Sequence, residues 1–148
     1  MEHEKWMRQA FEEARAGIEE GQTPFGAIVV RGGAVVARGH NEVWATTDPT
    51  AHAEVVAIRR AALALGTIDL GGCVMYTTCE PCPMCAAAIS FARIRRLYFG
   101  AQDPKGGAVV SGVRLYDQPT CHHAPEVYPG FAEQDSAALL RDFFRARR

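Results

Sequence analysis

Cys73-Val74-Met75-Tyr76-Thr77-Thr78-Cys79-Glu80-Pro81-Cys82-Pro83-Met84-Cys85 runs from a strand pattern straight into a helix start, and the rest of the chain is ordered around this junction. Cys73 to Thr77 reads as a strand. Glu80-Pro81-Cys82-Pro83 then opens a helix, where proline is tolerated because a first-turn N–H has no partner anyway, and an alanine-rich run carries it to about Arg93. Upstream, Asp48-Pro49-Thr50 carries the same start chemistry, and a helix runs through Val55, Ile58, Ala62 and Leu65 to Gly66. Before that, Trp6, Met7, Ala10, Phe11, Ala14 and Ile18 mark a helix from about His3 to Glu20, stopped by Gly21. Phe25 to Val30 is a buried strand, Arg31-Gly32-Gly33-Ala34 a hairpin turn into a second strand through Ala37, and Asn41 to Thr47 a loop. Downstream come a fourth strand at Leu97-Tyr98-Phe99 and a loop-rich stretch from Ala101 to Ala124 with at most one short helix. A short fifth strand at Val127-Tyr128 and a closing helix from about Glu133 to Arg145 follow. Strands alternating with helices predict a three-layer α/β/α arrangement around one mixed sheet, with residues 1–148 forming a single domain.

Composition sets wider bounds. The 148 residues are 48% hydrophobic and 22% charged, ordinary for a globular chain that buries one sizeable core. Met1 to Trp6 lacks the basic flank and apolar run of a signal peptide, and no apolar stretch approaches a membrane span, so a cytoplasmic address is expected. The cysteines are Cys73, Cys79, Cys82, Cys85 and Cys121. An odd count with three packed into seven residues is a poor disulfide framework and points to metal or catalysis. A net charge of −1 argues against a strongly electrostatic nucleic-acid binder. Arg141 to Arg148 nevertheless hold four arginines against one aspartate. Such a tail suits phosphates, and equally a helix end favoured by the macrodipole.

Two segments carry the chemistry, His52-Ala53-Glu54 and Pro81-Cys82-Pro83-Met84-Cys85. Cys82 and Cys85, three apart in one turn, present both sulfurs to one point at a helix start. There the unpaired N–H groups and positive dipole end favour the thiolate that a metal requires. His52 from a second helix start makes three ligands, and three ligands with an open position describe a catalytic zinc holding one water. Glu54 stands beside the metal without ligating it, placed to accept a proton from that water and return it to a ring nitrogen and a leaving amine.

Other readings compete. A lone Cys-x-x-Cys is often a redox pair, but the aromatic and glycine context of such a site is missing here. Cys79, Cys82 and Cys85 form a spacing used in iron–sulfur ligation, without the fourth cysteine. A closed structural zinc with Cys79 as fourth ligand would make a binding module, and leaves Glu54 without a purpose. His3, His40, His122 and His123 have no partner pattern and read as surface or loop residues rather than ligands.

The combined H-x-E and P-C-x-x-C pattern is the signature of zinc nucleobase deaminases. Asp48 to Glu54 and Glu80 to Cys85 resemble the two zinc boxes of the cytidine deaminase-like enzymes, in their purine-acting branch of bacterial tRNA adenosine deaminases and small guanine deaminases. The resemblance covers nearly the whole chain. It implies a five-stranded sheet flanked by helices, a homodimer, one zinc per chain, and attack by zinc-activated water on the carbon bearing the amino group. Ala53 and Glu80, inside the boxes, and Asn41, which hydrogen-bonds the ring in both subfamilies, become implied substrate contacts.

The two halves of the chain resemble different subfamilies. Ala86 to Leu97, Gly100 to Val109 and Ala137 to Arg145 are similar to the tRNA enzymes. That similarity implies Asp103 and Lys105 in a loop near an anticodon, and Phe144 over the pocket mouth. Pro24-Phe25-Gly26-Ala27, Asn41-Glu42-Val43 and Thr78-Cys79-Glu80-Pro81 are closer to guanine deaminases. Phe25 either stacks on a planar base or is plain core, Cys79 either touches substrate or merely packs, and Glu42 is expected to repel an RNA backbone. The expected partner is therefore a tRNA anticodon loop, with wobble adenosine converted to inosine. The alternative is a free base or other small aminated heterocycle, guanine first.

Overall fold

The computed structural model describes residues 2–146, so Arg147 and Arg148 of the basic tail lie outside it. Helix α1 (Glu2–Glu19) leads into the hairpin β1 (Gly26–Arg31) and β2 (Ala34–His40). A one-turn helix α2 (Val43–Thr46) and then α3 (Ala53–Leu65) follow. Strand β3 (Val74–Cys79), helix α4 (Pro83–Ala92) and strand β4 (Arg96–Ala101) form a βαβ unit. After a loop containing a single 3-10 turn (Leu115–Asp117) come β5 (Glu126–Tyr128) and α5 (Glu133–Ala146).

The five strands lie in the order β2-β1-β3-β4-β5. β1 is antiparallel to both β2 and β3, whereas β3–β4 and β4–β5 are parallel. The sheet is therefore mixed, as expected. Its inner strands are apolar on both faces because helices cover both. Ala27, Val29, Met75, Leu97 and Phe99 face α3 and α4, while Ile28, Val30, Tyr76 and Tyr98 face α1 and α5. No helix of the described residues is long and apolar enough to cross a membrane.

Three sequence expectations need correcting. First, α3 does not begin at Asp48. The Asp48 carboxylate accepts from the Thr50 N–H at 2.9 Å and the Thr50 hydroxyl at 2.7 Å. That closes a tight local turn in place of a helix cap, and the helix starts only after His52. Second, β2 runs on to His40, whose partner is Gly26. It can do so because Gly39 brings the strand against α3: a Cβ there would stand 2.6 Å from the Ala53 carbonyl oxygen. Third, His40 is neither surface nor loop. It is 8% exposed, with Nδ1 3.2 Å from Glu13 and Nε2 2.8 Å from Glu20, tying β2 to α1 and to the residue just beyond it.

An aromatic row crosses the α1 side of the sheet. Register places Tyr76 beside Tyr98 and Tyr98 beside Tyr128. Their rings stack at 4.8 and 4.6 Å, and His3 of α1 lies on Tyr98 at 4.5 Å while bonding the Tyr76 hydroxyl at 2.7 Å.

For His40, burial disfavours the imidazolium, but the hydrogen bonds to Glu20 and Glu13 outweigh it and hold the pKa above the usual 6.5. A raised pKa contributes stability that is complete below about 6.5 and is lost as pH rises through the folded value. His40→Gln is therefore expected to lower the urea midpoint more at pH 6 than at pH 8.5. Equal losses at both pH values would contradict the clamp.

Candidate active site

Helices α3 and α4 begin beside one another, with His52 and Cys82 at their N-cap positions and Cys85 in the first turn of α4. His52 Nδ1 lies 3.6 Å from Cys82 Sγ and 3.5 Å from Cys85 Sγ. Tetrahedral zinc with Zn–S of about 2.3 Å and Zn–N of about 2.0–2.1 Å sets a nitrogen and a sulfur about 3.5 Å apart. The donors are thus spaced for that ion, and His52, Cys82 and Cys85 are the residues that would hold it.

Charge is distributed to match. The Cys82 thiol is brought down to about 4 by the hydrogen bond from Cys85 and, after a contrary push from burial, by His52 and the Cys85 backbone N–H. Cys85, the donor in that pair, is pushed up. The hydrogen bond to Cys82 raises His52. The thiolate charge is thereby favoured on Cys82, with Cys85 as its hydrogen-bond donor. Cys79 is not part of this group. Among the described residues the metal-donor set is His52, Cys82 and Cys85 alone, and burial pushes the Cys79 thiol up to about 12. A closed four-ligand site is therefore not formed.

The donors open onto a cavity of about 230 Å³. Glu54, in the first turn of α3 and 7% exposed, lines it, and burial lifts its carboxyl to about 7. Phe25, Asn41, Cys79, Glu80 and Asp103 line it as well. Phe25 also packs against the core under α3 and α4, as its core reading has it. Larger hollows lie between α1 and α5 and beside α4, but neither holds a metal-donor group among the described residues.

Not every expected contact points at this cavity. Phe144 is 52% exposed and borders a separate hollow with Arg141 and Arg145. Helical phase explains it: Ser136 and Phe143, seven apart, face inward, which turns Phe144 about 100° away. The Ala53 N–H is already taken, donating to Asn41 Oδ1 at 2.8 Å, while Asn41 Nδ2 donates to Thr23 Oγ1 at 2.5 Å. Glu42 does not present a bare charge, since Arg60 of α3 pairs with it at 2.7 Å.

Glu80 organises the far wall. Its Oε1 accepts from the Asp103 N–H and the Ser111 hydroxyl, and its Oε2 from the N–H groups of Val109, Val110 and Ser111, all at 2.9–3.0 Å. One carboxylate thereby folds residues 103–111 against the cavity. Gly107 must lack a side chain there, because a Cβ would stand 2.4 Å from Glu80 Cδ. Nothing in residue type or spacing signals this network, as its donors are mostly backbone. Arg60, Thr23 and Ser111 were missed for a related reason: they act on residues 18 or more positions away.

The region conserved in cytidine and deoxycytidylate deaminases as their zinc-binding region matches residues 1–101, and the chain belongs to that zinc-binding deaminase family. Within it, the chain is 58% identical over 147 residues to the tRNA-specific adenosine deaminase of Agrobacterium fabrum, covering 99% of this chain and 97% of that one. A solved structure from work on A-to-I editing by tRNA:A34 deaminases superposes with a TM-score of 0.90 at 58% identity, covering 92% of this chain and 99% of the other. The guanine deaminase of Bacillus subtilis is 47% identical over 103 residues, 69% of this chain and 66% of its own.

Burial tends to raise Glu80, but hydrogen bonds from Asp103, Val109, Ser111 and Val110 hold it below the usual carboxylate range. Its contribution is present above about 4.5 and lost as pH falls through the folded value. Glu80→Ala, which strands several buried donors, is expected to cost about 3 kcal/mol or more in urea unfolding at pH 7. A cost under about 1 kcal/mol would mean the loop holds without it.

Proposed function

We propose that this chain removes the 6-amino group of adenosine at the tRNA wobble position, yielding inosine and ammonia. The observation that carries the reading is the 58% match across essentially the full length of a tRNA-specific adenosine deaminase. The guanine deaminase matches are weaker in identity, 47% over 69% of the chain for one relative and 35% over 99% of it for a solved structure.

Zinc, when bound, polarises a water and lowers its pKa toward neutrality. Glu54 sits at the start of α3 and lines the cavity with His52 and Cys82, where its carboxylate takes a proton from the attacking water. It delivers that proton to the ring nitrogen next to the reacting carbon, then takes the remaining proton from the added hydroxyl and gives it to the departing amine. The C6–O bond forms in the attack, and the C6–N bond breaks as that C6–O bond becomes the carbonyl of inosine. Asn41 has one amide hydrogen and one oxygen lone pair left after its internal bonds, enough to read one edge of the purine. Phe25 offers its ring to the base, and Cys79, kept neutral, walls the cavity without competing for the metal. The cavity admits a base, so the nucleotide must be flipped out of its loop. Glu42, neutralised by Arg60, no longer opposes an approaching phosphate.

Incubation with an anticodon stem-loop should yield inosine, and Glu54→Gln should keep its zinc while losing at least about a thousandfold in kcat, within the range for removing a positioned acid–base group. Absence of inosine with zinc-loaded wild type would refute the substrate. Phe25 and Cys79 in the cavity favour guanine as a second reading, and ammonia release from free guanine without action on the stem-loop would establish it.

The chain works in the cytoplasm as one domain spanning residues 1–148, paired with a second copy. The α4 face supports pairing: Ala86, Ile89 and Ala92 are covered by the sheet, whereas Phe91 is 82% exposed beside a hollow lined by Ala87 and Leu115. Sedimentation should give a dimer at micromolar concentration, and a monomer would count against this arrangement.

A further inference from the structure

We infer that Thr23 is a positioning residue for the reaction: its hydroxyl fixes the orientation of the Asn41 carboxamide that faces the substrate, and through Asn41 it braces the helix start carrying His52 and Glu54. The inference rests on the deaminase reading of this cavity.

The direction of the hydrogen bonds follows from what each group is able to do. A backbone N–H only donates, so the Asn41 atom 2.8 Å from the Ala53 nitrogen must be the carbonyl oxygen. Nδ2 is then the atom 2.5 Å from Thr23 Oγ1, and the hydroxyl oxygen accepts from it. With Asn41 only 7% exposed and lining the cavity, the order along its edge is set: one free amide hydrogen and one free lone pair, never exchanged. Without Thr23 the oxygen still has Ala53, but the amide hydrogen on the far side has no acceptor, and the group is free to swing toward the cavity.

Thr23 is itself held. It lies between Gly21, whose φ of 83° makes the turn out of α1, and Pro24. The Phe25 N–H donates to the Thr23 carbonyl at 2.9 Å, and the Gln22 N–H to the Gly17 carbonyl at 2.9 Å. The Gln22 side chain in turn accepts from the Trp44 N–H at 3.3 Å, so residues 22 and 23 grip the Asn41–Trp44 segment at two points. Ala53 sits between His52 and Glu54, so the same chain of bonds ends on the backbone that presents both.

Thr23→Val keeps the shape and removes the acceptor, and Thr23→Ser keeps the acceptor. Thr23→Val should lower kcat/KM on the anticodon stem-loop about tenfold with zinc content and Tm unchanged, and Thr23→Ser should restore most of it. In an Asn41→Ala background Thr23→Val should add no further loss, since the residue it acts through is gone. The ¹H–¹⁵N resonances of the Asn41 side-chain amide, read without substrate, should shift and exchange faster in Thr23→Val but not in Thr23→Ser. Wild-type kcat/KM in Thr23→Val, an equal loss in the Asn41→Ala background, or unchanged Asn41 resonances would each overturn the inference. If wild-type protein leaves the stem-loop untouched, the substrate reading fails and the Asn41 resonances alone decide this one.

Discussion

The first turns of α3 and α4 meet at His52, Cys82 and Cys85, where two sets of helical N–H groups without helical partners face atoms that bear negative charge once metal is bound. Such a meeting is unfavourable for bare helix ends, because two positive dipole ends repel. Negative charge on the sulfurs of Cys82 and Cys85 makes it favourable. Much of the fold keeps these two ends in register. β3 delivers the chain to Cys82, β2 delivers it to the turn before His52, and β1 lies between those strands in the sheet. Gly39 lets α3 lie close on β2, and Asn41 supplies α3 with the cap that its own sequence lacks.

The wall opposite the metal donors is built differently. There a single carboxylate, Glu80, gathers donors from a loop with almost no regular structure. A loop held at one point is ordered as a unit, so Asp103 and Gly106 meet the cavity in fixed positions although neither lies in a helix or strand. Glu80 precedes Pro81 and Cys82 directly. The loop and the metal donors are therefore referenced to the same few atoms of backbone, and a shift of one carries the other along.

Most of this was legible in the sequence where the cause is local. The strand-to-helix junction at Cys79–Cys85 and the His52-Ala53-Glu54 step combine residue type with helical spacing, and from them the structure brings His52, Cys82 and Cys85 together. The two-sided apolar strands gave the layered sheet. What escaped depends on partners far along the chain. Glu42 looks repulsive until Arg60 is placed beside it. His40 looks like a loop residue until Glu13 and Glu20 close on it. Phe143 and Phe144 are interchangeable in composition, and only the phase of α5 decides which is buried. The turn at Asp48 shows a competition that composition cannot settle, since the same side chain can cap a helix or close a turn.

The two edges of the sheet have a consequence for how copies of the chain can meet. β5 has three residues, bounded by Pro125 and Pro129, and proline offers no N–H to a neighbouring strand. At the opposite edge, the Arg38 carbonyl of β2 is occupied by the Arg60 guanidinium. The β5 edge is too short to template strand addition, and at the β2 edge one acceptor is already taken, so polymerisation through the sheet is disfavoured. Association between copies is left to side-chain surfaces, which can close on themselves and stop.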